Sequence, residues 1–150
     1  MTDIVTRRKR SEMMSGIRAT DTKPEMLVRK ALHAKGFRYR LHDRVLPGKP
    51  DIVLPKYHAV IFVHGCFWHG HACHLFKFPK SRTEFWQEKI EGNRCRDRKN
   101  RKLLLDTGWR VAEVWECAVK GKLRLGSAET IARLAEWLNG ESPEFEVRGG

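Results

Sequence analysis

No apolar run in this chain approaches the ~18 residues that a membrane-spanning helix requires. The opening Met1 to Val5 passes straight into Arg7-Arg8-Lys9-Arg10 without the apolar segment of a secretory signal. Both lacks exclude a membrane protein, and a cytoplasmic location is expected. Acidic residues are also scarce: 18 Asp and Glu stand against 30 Lys and Arg, leaving a net charge of +12. A surface so one-sided calls for a polyanionic partner, nucleic acid before all others. No repeat and no linker divides the 150 residues, which is the size of one domain with one main core. Cysteine is sparse, with Cys66, Cys73, Cys95 and Cys117 only. In a reducing compartment, with histidines interleaved, these favour metal binding over disulfides.

What the chain does contain is concentrated in Cys66-Phe67-Trp68-His69-Gly70-His71-Ala72-Cys73. Four potential metal ligands and two large aromatics share eight residues. Imidazoles and thiols this dense are hard to satisfy by packing alone. Two sulfurs and an imidazole suit tetrahedral Zn²⁺, with Cys117 as a distant closing ligand, and four protein ligands make such a site structural. His69, His71 and His74 compete for the nitrogen position. Cys95 lies on an expected helix and reads as a free thiol. A metal here would hold Phe67 and Trp68 out on a short rigid loop, an arrangement suited to pushing rings between bases.

Local patterns predict the order α-β-β-β-α-β-α, a mixed sheet flanked by helices. Residues 1–20 read as a basic arm, with Met13, Met14 and Ile17 at helical spacing. Thr22-Lys23-Pro24-Glu25 has the form of a capping box, and Lys35-Gly36 that of a helix end. Phe37 to Leu41 alternates as a strand. Asp51 to Leu54 and Ala59 to Val63 are apolar runs in the pattern of a buried hairpin. Ser81 is expected to cap a long helix to Asp106, Trp109 to Trp115 to form a strand with both tryptophans in the core, and Ser127 to open a final helix through Leu138. Residues 141–150 read as a polar tail.

The hairpin brings Asp51 near Val63, His64 and His69. A carboxylate, a backbone carbonyl and waters would make an oxygen-rich site for Mg²⁺. Taken alone, Asp51 is as easily a strand-end residue in water, His64 a buried histidine bonded to backbone, and Glu25 a helix cap. His69, if zinc takes His71, is free to act as a general base. Trp86, Lys89, Asn93, Arg96 and Asn100 recur every three or four residues on the long helix. Such a stripe is commonly a solvated face; with this charge, phosphate or base-edge contact is the better reading for Lys89 and Asn93.

Phe62-Val63-His64-Gly65-Cys66-Phe67-Trp68-His69, then His71-x-Cys73, Arg82-Thr83-Glu84-Phe85-Trp86 with Lys89-Ile90, Gly108 to Val111, and Val114-Trp115-Glu116-Cys117 together resemble the very short patch repair endonuclease family. So does Pro47-Gly48-Lys49-Pro50-Asp51. The likeness spans about residues 10–140. It implies a fold similar to type II restriction endonucleases and a Mg²⁺-dependent nick in duplex DNA beside a T:G mismatch left by deamination of 5-methylcytosine. By the same resemblance, Asp51 and the backbone carbonyl of Val63 would hold Mg²⁺, and His69 would activate water with Glu25 and His64 in support. Cys66, His71, Cys73 and Cys117 would bind Zn²⁺. Phe67, Trp68 and Trp86 would wedge into the major groove and Met14 into the minor groove, while Lys89 and Asn93 face the mismatch. Mismatch-repair proteins and a repair polymerase are the implied partners, and the nucleoid the place of work. Val63 stands where the family pattern has threonine, and the Glu-x-Lys half of the restriction-enzyme signature is absent, so His69 must stand in for the lysine. The competing expectation is a non-catalytic, zinc-stabilised module that binds distorted DNA; a pure binder has no need of the Asp51, His64, His69 group.

Overall fold

The computed structural model describes residues 22–73, 75–77 and 80–149. Met14, the rest of the expected arm, and His74 lie outside them. Helix α1 (Lys23–Ala34) starts where Thr22 Oγ1 accepts from the Glu25 amide at 3.3 Å. It ends in a Schellman turn, with Phe37 N donating to Leu32 O at 3.1 Å and Gly36 N to His33 O at 3.0 Å. Gly36 takes the left-handed φ of 93° that this ending requires. The turn explains why the expected strand over residues 37–41 shrinks to β1 (Arg40–Leu41): Phe37 is held back against the helix it follows.

Strand β2 (Ile52–Leu54) runs antiparallel to β1 and to β3 (Ala59–His64), joined to β3 by a 3-10 turn at Pro55–Tyr57. The long helix α2 (Thr83–Asp106) then carries the chain over the sheet to β4 (Arg110–Trp115), which lies parallel to β3. Ser81 does not cap α2; Arg82 occupies that position in a left-handed conformation, with no side-chain hydrogen bond. A second Schellman turn, Trp109 N to Leu104 O at 3.0 Å, closes α2. Helix α3 (Ser127–Asn139) returns the chain to β5 (Glu144–Val147), parallel to β4. The expected polar tail thus contains a strand. Its Glu-Phe-Glu-Val alternation is what an edge strand needs, charge outward and one apolar face inward.

The five strands lie in chain order in one mixed sheet with helices on both faces. One face packs Ile52, Leu54, Ile61, Ala112 and Val114 under α1 and α3; the other packs Val53, Val60, Phe62 and Val111 under Leu104 of α2. Burial on both faces is why β2 and β3 read as continuous apolar runs. Trp115 is in the core as expected, but Trp109 is half-buried and stacks on His58 with rings 4.2 Å apart. Strand alternation puts Asp51, His64, Glu113 and Trp115 on the α2 face. Among the described residues no helix is long and apolar enough to cross a membrane.

Candidate active site and metal loop

An open cleft of about 2280 Å³ lies between the sheet, α1 and α2, at the carboxyl ends of β3 and β4. Asp51, immediately before β2, is fixed there by the backbone: the Val63 N–H donates to its Oδ2 at 2.7 Å. Burial pushes the Asp51 carboxyl up to about 8 despite that bond, and the neighbouring Glu25 carboxylate adds to the rise. Glu25 is fully buried in the first turn of α1, where its Oε2 accepts from Arg29 at 3.0 Å and meets His42 Nε2 at 2.7 Å. Glu25, His42 and Asp51 therefore offer three donor atoms within 4.8 Å of one another. Two crowded carboxylates in a half-buried cleft are a donor set that a hard divalent cation fits.

His69 sits across the cleft with its Nδ1 2.5 Å from Asp97 Oδ2 on α2. A carboxylate beside Nδ1 accepts a hydrogen bond from the Nδ1–H, which keeps the proton on Nδ1 and leaves Nε2 as the basic nitrogen. The His64 ring lies 4.0 Å from that of His69. Burial holds His64 well below the ordinary imidazole range, aided by His69, Arg101 and His71, so it is neutral. Asp97 escaped the sequence reading, although it is four residues beyond Asn93 on the same helical stripe. The inward face runs Trp86, Ile90, Asn93, Asp97, Arg101, Leu104, and Arg96 points to solvent. His42 was also missed, since no periodicity marks a loop residue.

The loop after β3 gathers the expected metal ligands. His71 Nδ1 lies 3.6 Å from both Cys66 Sγ and Cys117 Sγ, and Cys73 completes a group within 4.8 Å. Zinc bonds of about 2.3 Å to sulfur and 2.0–2.1 Å to nitrogen, at a tetrahedral angle, set S and N about 3.6 Å apart. The donor set and its spacing fit Zn²⁺. Burial raises both thiols of Cys66 and Cys117, so they need a cation to ionise. His71 stacks on Trp115 at 4.0 Å, and Gly149 N donates to Cys117 Sγ at 3.3 Å.

Helix α2 ties this loop down along its length. Asn93 Nδ2 donates to Trp68 O at 2.7 Å, and Arg94 donates to Gly70 O. Asn93, which lines the cleft, also accepts from Arg96 through Oδ1. Lys89 is exposed on the cleft rim. Phe67, Trp68 and Trp86 meet edge to face at 5.2–5.7 Å between centroids, a half-buried aromatic block lining the cleft beside the exposed Phe85.

Residues 2–75 match the family model described as DNA mismatch endonuclease Vsr. Over 147 residues the chain is 44% identical to the DNA mismatch endonuclease Vsr of Escherichia coli, covering 98% of this chain and 94% of that protein. The chain belongs to the Vsr family. Two further relatives are named type II nicking enzymes: V.XorIIP of Xanthomonas oryzae pv. oryzae, 47% identical over 89% of this chain and 96% of its own, and V.NmeAIP of Neisseria meningitidis serogroup A, 55% identical over 81% and 87%. As a Vsr-family protein it is a DNA endonuclease of mismatch repair, with DNA as its substrate.

Proposed function

We propose that this Vsr-family chain nicks duplex DNA next to the T of a T:G mismatch produced by 5-methylcytosine deamination, on a fold of the type II restriction endonuclease kind. The observation that carries the catalytic half is the His69–Asp97 pair facing Asp51 across one cleft. A DNA-binding module gains nothing from a base fixed in its reactive tautomer beside two crowded carboxylates. Asp51 and the Val63 carbonyl would hold Mg²⁺, and Cys66, His71, Cys73 and Cys117 would hold Zn²⁺ in a closed, structural site. Bound there, Mg²⁺ supplies charge neutralisation at the phosphate and acidifies water.

The chain's own residues do the rest. His69 Nε2 takes the proton of the attacking water, and Asp97 stabilises the imidazolium that results. His64 and Glu25 would flank that water and orient it by hydrogen bonds. Phe67, Trp68 and Trp86 enter the base stack from the major groove, with Met14 opposite them in the minor groove. Unstacking costs a few kcal/mol per step, least at a mismatched pair, and so selects the T:G site. Lys89 and Asn93 would face the mismatch, and Asn93 also holds the Trp68 carbonyl. The nick is then an entry point for mismatch-repair proteins and a repair polymerase in the cytoplasm, at the nucleoid.

The test is an end-labelled duplex with one T:G mismatch, beside T:A and C:G controls, with and without Mg²⁺. A Mg²⁺-dependent cut confined to the T strand is expected. Tight binding without scission across several flanking sequences would overturn the reading in favour of a binding module.

A further inference from the structure

Glu113 sits in the middle of β4, only 5% exposed, beside an otherwise apolar cluster. One carboxylate oxygen pairs with an Arg101 Nη of α2, and the other lies 3.8 Å from His64 Nε2. Glu113 is opposite Phe62 on β3, and Ile52 is opposite Ile61. One step along that register sets Asp51 against Phe62, so Asp51, Phe62 and Glu113 form one row across three strands on the α2 face. At about 4.8 Å per strand the two acidic positions are roughly 10 Å apart. Arg101 lies above that row as a cleft-lining residue, its side chain 36% exposed and its buried Nε without a partner among the described residues.

Stability alone is a poor reason for this pair. A buried ion pair is commonly no better than apolar residues of the same volume, and here Glu113 has Phe62 opposite it on one side and a further carboxylate, Glu146, on the other. What the pair does supply is a guanidinium held by Glu113 on a residue that lines the cleft and is still 36% exposed. The planar fork matches phosphate oxygens, and it is held before substrate arrives.

We propose that Arg101 is a further catalytic residue, donating to a non-bridging oxygen of the phosphate under attack, and that Glu113 is the positioning residue that aims Arg101 and His64. Arg101 would then supply a fixed cation at the phosphate, in addition to the part that His69 takes in place of the missing Glu-x-Lys lysine. The inference rests on the cleft being the nuclease site proposed above. Loss of one preorganised donor to a developing charge slows reactions about 10²–10³-fold.

The deciding variant is the double substitution Arg101→Met with Glu113→Leu, which removes both charges together and leaves none buried alone. Thermal melting, mismatched-duplex binding as a function of salt without divalent cation, and single-turnover nicking at saturating protein are measured. The double variant should melt no lower than wild type, bind with a log–log salt slope shallower by about 0.9, one phosphate's share, and nick about 100-fold slower or worse. Glu113→Gln should slow nicking with DNA affinity unchanged and alter the ¹⁵N tautomer signature of His64. Nicking by the double variant within about threefold of wild type overturns the proposal. If wild type itself fails to nick, the nuclease reading falls, and the salt slope still decides Arg101: shallower supports a phosphate ligand, unchanged overturns it.

Discussion

Asp97→Asn is the perturbation that tests the chemistry of the cleft most directly. The wild-type carboxylate, 2.5 Å from His69 Nδ1, accepts a hydrogen bond from the Nδ1–H and leaves Nε2 with its lone pair. Asparagine has nearly the same shape but presents an amide, whose N–H₂ can donate to Nδ1 and so force the proton onto Nε2. The base is then in place and in the wrong tautomer. It also loses the negative charge that stabilises the imidazolium once the proton has moved. General-base catalysis contributes about 10²–10⁴ in rate, so single-turnover nicking should fall by about that factor. Both side chains are about a quarter exposed, 24% for His69 and 23% for Asp97, so the fold should survive. DNA affinity should change less than about threefold. Asp97→Ala makes the argument sharper: it removes the charge without imposing a tautomer, and should be no slower than Asp97→Asn. Nicking by Asp97→Asn within about threefold of wild type would refute the assignment of His69 as base, as would an alanine variant much slower than the asparagine one.

Asp51→Asn should abolish nicking while leaving mismatch binding intact, and retained activity would remove Asp51 from the catalytic group. Its stability effect has a sign. Because the folded carboxyl is raised from 3.8 to about 8, the fold holds a proton that the unfolded chain has released between about pH 4 and 8. The metal-free protein loses this group's contribution as pH rises through that window, so the melting gain of Asp51→Asn over wild type should grow from pH 5 to pH 8. A gain independent of pH would contradict the burial argument. Cys117→Ala should take zinc content from about one per chain towards zero and loosen the 66–73 loop; stoichiometric zinc in that variant would exclude Cys117 as a ligand. Trp68→Ala should weaken binding to T:G duplex by about 1–3 kcal/mol, the worth of one base–aromatic stack, and weaken binding to paired duplex less. Equal losses on both would deny Trp68 a part in selecting the mismatch.

The cluster that could hold a metal, Cys66, His71, Cys73 and Cys117, was legible because three of the four lie within eight residues and no packing pattern accounts for them. Asp51 with Val63 was legible because a short hairpin connects them. Long-range partners gave no such sign. Glu113 reads as one polar residue in an apolar strand, and only the register against Phe62 shows that it lies in the row of Asp51. Strand β5 hid because four residues of alternating charge look like solvent-exposed chain until β4 pairs with them. The second half of the Phe37–Leu41 strand pattern survived and the first half did not, since the Schellman bond at Phe37 is a tertiary demand that alternation cannot express.

The role of α2 follows from the same distinction. Its 24 residues have a weak apolar stripe, and only Ile90 and Leu104 are fully buried. A helix of that length needs some other reason to lie flat on the sheet. The polar contacts supply it: Asn93 to the Trp68 carbonyl, Arg94 to the Gly70 carbonyl, Asp97 to His69 and Arg101 to Glu113, at successive turns. Each couples the helix to a loop or strand that bears a functional group. Trp86, at the near end, belongs to the aromatic block, while Asp97 and Arg101 lie three and four turns further on, Asp97 against His69 and Arg101 against Glu113. One rigid element therefore fixes the distance between the aromatic block proposed to find the mismatch and the histidine proposed to activate the attacking water. On the proposed reading, a duplex seated on Phe67, Trp68 and Trp86 would bring its phosphate to His69 without any hinge, and a helix-breaking change between Asn93 and Asp97 should uncouple mismatch binding from nicking.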